Sequence, residues 1–112
     1  MAKRGDVLVS LRKLGFGAGG RRERFVVVQS DLLLGIDTAV VAPLDQDAPI
    51  YDSDPLAVRV PAAETGSAQQ HVVLVHLVSA CRLDRFESGA VGKLSSKSMA
   101  AVDALLRTVL NL

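Results

Sequence analysis

Cysteine is nearly absent from this 112-residue chain, charge of the two signs is in balance, and no apolar run is long. Each shortage excludes something. The single thiol, Cys81, has no second cysteine for an internal disulfide, which fits a reducing cytoplasm. It lies beside the apolar run 72–78 and reads as a small buried thiol rather than a nucleophile. With 13 basic and 12 acidic residues the formal net charge is +1. No global field drives such a chain onto nucleic acid or membrane, so partners of that kind must be held by local patches. No stretch approaches the ~20 apolar residues of a membrane span, and the basic start "MAKRGD" lacks the apolar segment of a signal peptide. A soluble cytoplasmic protein is expected. His71 and His76 sit five apart on one predicted strand and so point to opposite faces, and no cysteine or histidine cluster has zinc spacing. Neither a metal nor a cofactor is expected.

What is present is a series of short strand patterns closed by one helix. "DVLVSLR" (6–12) alternates, with Val7, Val9 and Leu11 on one face. Further strands are expected at "FVVVQS" (25–30), "TAVVAPL" (38–44), "LAVRVP" (56–61), "HVVLVHLVS" (71–79) and "GAVGKL" (89–94). In 56–61, Arg59 faces outward. Breakers separate them at 34–37, 45–55, 62–70 and 85–89. The period then changes. Met99, Val102, Leu106 and Val109 recur at helical spacing, so a helix is predicted over 97–111, capped by Ser95 or Ser96. There are no repeats and no dividing linker. The expectation is one domain, 1–112, mainly β with a C-terminal helix: a small antiparallel barrel or sheet closed by that helix.

The stretch "GFGAGG" (15–20) fits G-x-G-x-x-G, a pattern that cradles a pyrophosphate when a helix follows. Here "RRER" and a valine-rich strand follow instead. The loop therefore joins two antiparallel strands without a helix dipole, and Gly15, Gly17, Gly19 and Gly20 read as hairpin mobility rather than a nucleotide site. Two charged neighbourhoods flank the strands. Arg21, Arg22 and Arg24, with Arg12 and Lys13 across the hairpin, concentrate five positive charges. That is either a phosphate-binding patch, since arginine forks match phosphate oxygens, or a solvated hairpin. Asp45, Asp47, Asp52 and Asp54 crowd the loop after the third strand. Their spacing is not that of a calcium loop, which favours a solvated acidic loop. Opposite charges on two loops also suit the docking of a charged partner chain.

"KRGDVLVSL" followed by the glycine loop, "RFVVVQSDLLLGID", "TAVVAPL" and "VGKLSSKSMAAVDALLRTVLNL" together resemble the MazF/PemK–CcdB superfamily of type II toxin–antitoxin toxins. The resemblance runs nearly end to end and is weakest over 45–70. It implies an SH3-like barrel with a C-terminal helix, a homodimer and a cognate antitoxin. Both termini resemble the MazF/PemK branch, whose members are metal-independent endoribonucleases cutting single-stranded RNA at short sequences. "FVVVQSDLL" resembles CcdB, the branch that poisons DNA gyrase and cuts nothing itself. That branch typically ends in Trp-Gly-Ile, whereas this chain ends Leu110-Asn111-Leu112 and has no tryptophan.

The MazF/PemK resemblance implies a catalytic arginine, in an Arg-Pro step, six residues before the glutamine of the second strand. Counting back from Gln29 gives Glu23, with Arg24 in the proline's place. The threonine or serine that ends the third strand corresponds to Asp45. Both positions are acidic, and a carboxylate opposes the extra negative charge of the phosphorane formed when the ribose 2′-OH attacks. Two solutions stay open. A one-residue bulge would aim Arg22 or Arg24 at the phosphate. Alternatively, Glu23 acts as general base while a neighbouring arginine holds the phosphate. The resemblance therefore points to Arg22, Arg24, Glu23 and Asp45 for catalysis. It points to Arg21, Arg12 and Lys13 for RNA binding, and to the glycines of 15–20 for a gating loop. The alternative is a gyrase-directed or catalytically inactive protein-binding toxin.

Overall fold

A computed structural model describes residues 2–11, 23–31 and 37–112. Its strands are β1 (Asp6–Val9), β2 (Arg24–Val27), β3 (Thr38–Gln46), β4 (Ala57–Val60), β5 (His71–Leu74), β6 (Ser79–Arg82) and β7 (Gly92–Lys93). Two helices join them, a single turn α1 (Ala62–Thr65) and the long α2 (Ser96–Leu110). All strand pairings are antiparallel, in the order β4-β5-β3-β2-β1-β7, with β6 also on β3. Mainly β structure with a closing helix is what the alternation and the final change of period predict.

β3 is the spine. One edge pairs with β2, while the other takes β6 along its first half and β5 along its second. Pro43 stands at the change of partner. Val28 donates to the Val40 carbonyl at 3.0 Å, so the even-numbered residues of β3 turn their backbone polar groups toward β2. Odd-numbered Pro43 thus presents its missing N–H to the opposite edge, where no ladder bond is needed. The run 71–79, expected as one strand, accordingly breaks at a 3₁₀ turn over Val75–Leu77, and its two halves serve different stretches of β3. The sheet then curls toward closure. Beyond β6, Phe86 bridges Ser10 just past β1. A helix replaces part of the expected loop 62–70. Pro61 precedes it and Gly66, at φ 72°, ends it in the left-handed region that glycine tolerates.

Two apolar clusters occupy the two faces. Val26 of β2, Val28 just beyond it, and Ala42 and Leu44 of β3 join Val7, Val58, Val60, Val73 and Val75 beneath Met99 and Val102 of α2. Odd-numbered residues (Phe25, Val27, Ala39, Val41) pack with Leu8 and Phe86, and Cys81 lies half-buried at their margin. Ser95 caps α2, its hydroxyl accepting from the Ser98 N–H at 3.1 Å. At the other end Asn111 takes the left-handed conformation, and the Leu112 N–H reaches the Arg107 carbonyl at 2.8 Å. Among the described residues, no helix is long and apolar enough to cross a membrane.

Candidate functional site

The alternation that builds the second cluster also builds the candidate site. β2 and β3 pair Phe25 with Pro43 and Arg24 with Leu44. Extended one step beyond β2, the same register would set Glu23 against Asp45 on the odd-numbered face. Positions of this type, like Phe25 and Pro43, exchange no ladder bonds, and their Cα atoms stand only ~4.5 Å apart. Opposed carboxylates there are destabilising, so a fold that retains them must hold each one. Glu23 is fixed through its backbone: its N–H donates to the fully buried Ser10 hydroxyl at 3.0 Å, and its carbonyl accepts from the Ser10 N–H at 2.8 Å. Asp45 is fixed through its side chain. Oδ1 accepts from the Gln46 N–H at 2.9 Å and Oδ2 from the Tyr51 hydroxyl at 2.5 Å.

Tyr51 has no place in the sequence-based set of site residues, although it is the chain's one tyrosine, six residues past Asp45. It closes a 3₁₀ turn, Pro49–Tyr51, whose backbone is tied by Tyr51 N–H to Ala48 O at 2.9 Å and Asp52 N–H to Pro49 O at 3.1 Å. Burial first, then the hydrogen bond and charge of Asp45, push its phenol up to about 12. The hydroxyl therefore stays protonated and Asp45 remains an acceptor.

The acidic loop is not simply solvated. Arg59, outward-facing on β4 as expected, reaches back over it. Its Nε donates to Asp47 Oδ2 at 3.0 Å and its Nη2 to Asp52 Oδ1 at 2.6 Å. Gln70 adds a bond to Asp47 Oδ2 at 2.8 Å. The clustered aspartates signal this loop in the sequence, but nothing there indicates that β4 supplies the compensating cation.

Arg24 lies on the even-numbered face, with a different task. Its Nε donates to the Thr65 carbonyl at 3.0 Å and its Nη2 to the Gly66 carbonyl at 3.3 Å, at the end of α1. That turn is locked from other sides as well. A Cβ on Gly66 would stand 2.2 Å from the Val91 carbonyl oxygen, and one on Gly92 would stand 2.3 Å from that of Glu64. Glu64 Oε1 meanwhile accepts from the N–H of Ser95, the capping residue of α2, at 2.9 Å. Arg24 thereby ties the start of β2 to the start of α2.

Of the residues the sequence singles out, Glu23 lies just before β2 and Asp45 near the end of neighbouring β3, while Arg24 lies on the opposite face. Arg12, Lys13, Gly15, Gly17, Gly19, Gly20, Arg21 and Arg22 lie outside the described residues. The histidines do not share a strand: His71 is buried in β5, its Nδ1 2.9 Å from the Gln69 carbonyl oxygen, and His76 sits in the following turn. A separate cleft of about 460 Å³, walled by Leu8, Leu83, Asp84 and Phe86, includes neither Glu23 nor Asp45.

Solved structures with this fold match almost the whole chain. An endoribonuclease in complex with its cognate antitoxin, from a mycobacterial species, is 16% identical with a TM-score of 0.77, covering 100% of this chain and 97% of that one. A MazE–MazF complex from Deinococcus radiodurans is 22% identical at a TM-score of 0.73, covering 98% and 96%. The Mycobacterium tuberculosis toxin MazF-mt6 is 14% identical at 0.72, covering 94% and 97%. At such identities the likeness shows the fold. No curated protein matches the sequence. The family itself is shown by its sequence profile, described as PemK-like, MazF-like toxin of type II toxin–antitoxin system, which matches residues 3–110. The chain belongs to the PemK-like, MazF-like toxins of type II toxin–antitoxin systems.

Proposed function

We propose that this toxin is a metal-independent endoribonuclease that cuts single-stranded RNA at a short sequence, acts in the cytoplasm as a homodimer, and is restrained by a cognate antitoxin. The observation that supports this reading is the placement of Glu23, held by Ser10 at the edge of the face it shares with Asp45 and directly after Arg21 and Arg22. Similar folds described as an endoribonuclease with its antitoxin and as MazE–MazF support it further. In the proposed reaction the Glu23 carboxylate takes the proton of a ribose 2′-OH, whose oxygen attacks the adjacent phosphorus. The P–O5′ bond breaks, and the departing oxygen takes up a proton. The products are a 2′,3′-cyclic phosphate and a 5′-OH. A carboxylate suits the first step, as a base positioned for transfer contributes roughly 10²- to 10⁴-fold.

The same carboxylate repels the phosphorane, so the step requires a cation beside it. Arg21 and Arg22 are assigned that role, because Arg24 engages its guanidinium with Thr65 and Gly66. Asp45 orients Tyr51, and its charge is dispersed over two accepted hydrogen bonds. Arg12 and Lys13 extend the phosphate contacts, and the glycines of 15–20 serve as the gating loop.

One observation favours a second reading. Opposed carboxylates at Glu23 and Asp45 suit a toxin that docks on a protein, with DNA gyrase the candidate target, and leaves RNA intact. The test is incubation of single-stranded RNA with purified toxin in a metal chelator, followed by mapping of the ends. New 5′-OH ends at a repeated short sequence are expected. Intact RNA, with gyrase-dependent DNA breaks in growth-arrested cells, would establish the second reading instead.

A further inference from the structure

A protein that grips single-stranded RNA needs a surface on which an unpaired base can stack, and the aromatic inventory leaves few choices. The sequence holds one tyrosine, three phenylalanines and no tryptophan. Phe25 and Phe86 are buried edge to face, with ring centroids 5.5 Å apart. Among the described residues this leaves Tyr51 as the accessible benzenoid ring, the only other exposed aromatic side chain there being the His76 imidazole in the turn after β5. It is half-buried, and its neighbour Ile50 is 77% exposed, an unusual position for a large aliphatic side chain. The ring is also prepared for binding. Pro49 and two backbone hydrogen bonds stiffen the turn, and Asp45 fixes the hydroxyl at 2.5 Å, so little freedom remains to be lost when a base arrives.

We infer that Tyr51, flanked by Ile50, is a stacking platform for an unpaired RNA base next to the phosphate handled at Glu23, an inference that rests on the ribonuclease reading. The surrounding charge fixes the orientation of the strand. Asp47, Asp52 and Asp54 repel phosphates, and Arg59 neutralises only part of their charge. An uncharged base therefore meets the ring while the sugar–phosphate chain keeps away from the acidic loop.

Because Tyr51 is the sole tyrosine and tryptophan is absent, intrinsic fluorescence reports this ring alone. The probe is a short, mixed-sequence single-stranded RNA with 2′-O-methyl riboses, which cannot supply the attacking hydroxyl. Its binding is followed by anisotropy of an end label and by tyrosine emission. Binding is expected to quench Tyr51. Tyr51→Ala should weaken binding roughly five- to a hundred-fold, the usual scale for loss of one stacked base. Tyr51→Phe, which keeps the ring, should bind within about three-fold of the parent. If the RNA binds without quenching, or binds equally well to Tyr51→Ala, the platform is overturned while cleavage of unmodified RNA still upholds the ribonuclease reading. If the probe does not bind and unmodified RNA stays intact, both fall. Quenching by an antitoxin but not by RNA would also overturn the inference, assigning the turn to a protein partner.

Discussion

Phe25 lies inside β2 and Glu23 two residues earlier, just before the strand begins, and they belong to different regions of the molecule. At Phe25 the face is dry: Val27, Val41, Leu8 and Phe86 enclose the ring completely. At Glu23 the same face has become polar, with Asp45 opposite and Tyr51 fastened to it. Pro43, directly across from Phe25, marks the boundary. The lesson is that one register serves both ends. The buried pair Phe25–Pro43 sits within the pairing of β2 and β3, and that pairing carries the strand ends bearing Glu23 and Asp45 to the same end of the sheet. Buried apolar packing lies on one side of the boundary and polar, charged side chains on the other.

Substitutions on the two sides should therefore fail differently. Phe25→Ala removes a fully buried ring and its edge contact with Phe86, and should cost about 3–5 kcal/mol in a denaturant titration. Activity would then be lost only in proportion to unfolding. Arg24→Ala, on the other face, leaves two backbone carbonyls without their charged donor. It should cost about 1.5–3 kcal/mol, the range for hydrogen bonds to charged groups. Melting curves should show this as destabilisation, and part of it should persist in Arg24→Lys, which cannot reproduce the fork.

Asp45→Asn should change stability little at neutral pH while changing the titration of Tyr51. In the parent, the phenol's proton is held more tightly in the fold, at about 12, than at its ordinary value of 10.0. The stabilisation linked to that proton is complete below pH 10 and disappears as pH rises through about 12. Removing the Asp45 charge should move the ultraviolet titration of the single tyrosine downward from about 12. An unchanged titration would show that burial alone holds the phenol, and would separate Tyr51 from the carboxylate face.

Much of this architecture is legible in the sequence, for identifiable reasons. α2 is, because Met99 and Val102 repeat at helical spacing behind a serine cap, and local rules suffice to place it. The strand ends that carry Glu23 and Asp45 are also legible, as the positions the family resemblance picks out by counting back from Gln29 and forward past "TAVVAPL". Three features are not. The break within 71–79 cannot be read from its nearly continuous apolar residues, since it follows from β3 changing partners at Pro43. Helix α1 hides in four residues too short for any period, though Pro61 and Gly66 bracket it. The partners of Arg24 and Arg59 depend on contacts with α1 and with the acidic loop, which no pattern within β2 or β4 encodes.

The central claim, that Glu23 is the base of an RNA-cleaving site, is tested most directly by single-turnover cleavage of single-stranded RNA in a metal chelator, comparing the parent with Glu23→Gln and Glu23→Arg. Loss of the base should lower the rate by ~10² or more in both variants, with a melting temperature at or above the parent's, because the opposed carboxylates are relieved. Cleavage by Glu23→Gln at the parent's rate, or faster cleavage by Glu23→Arg, would contradict it.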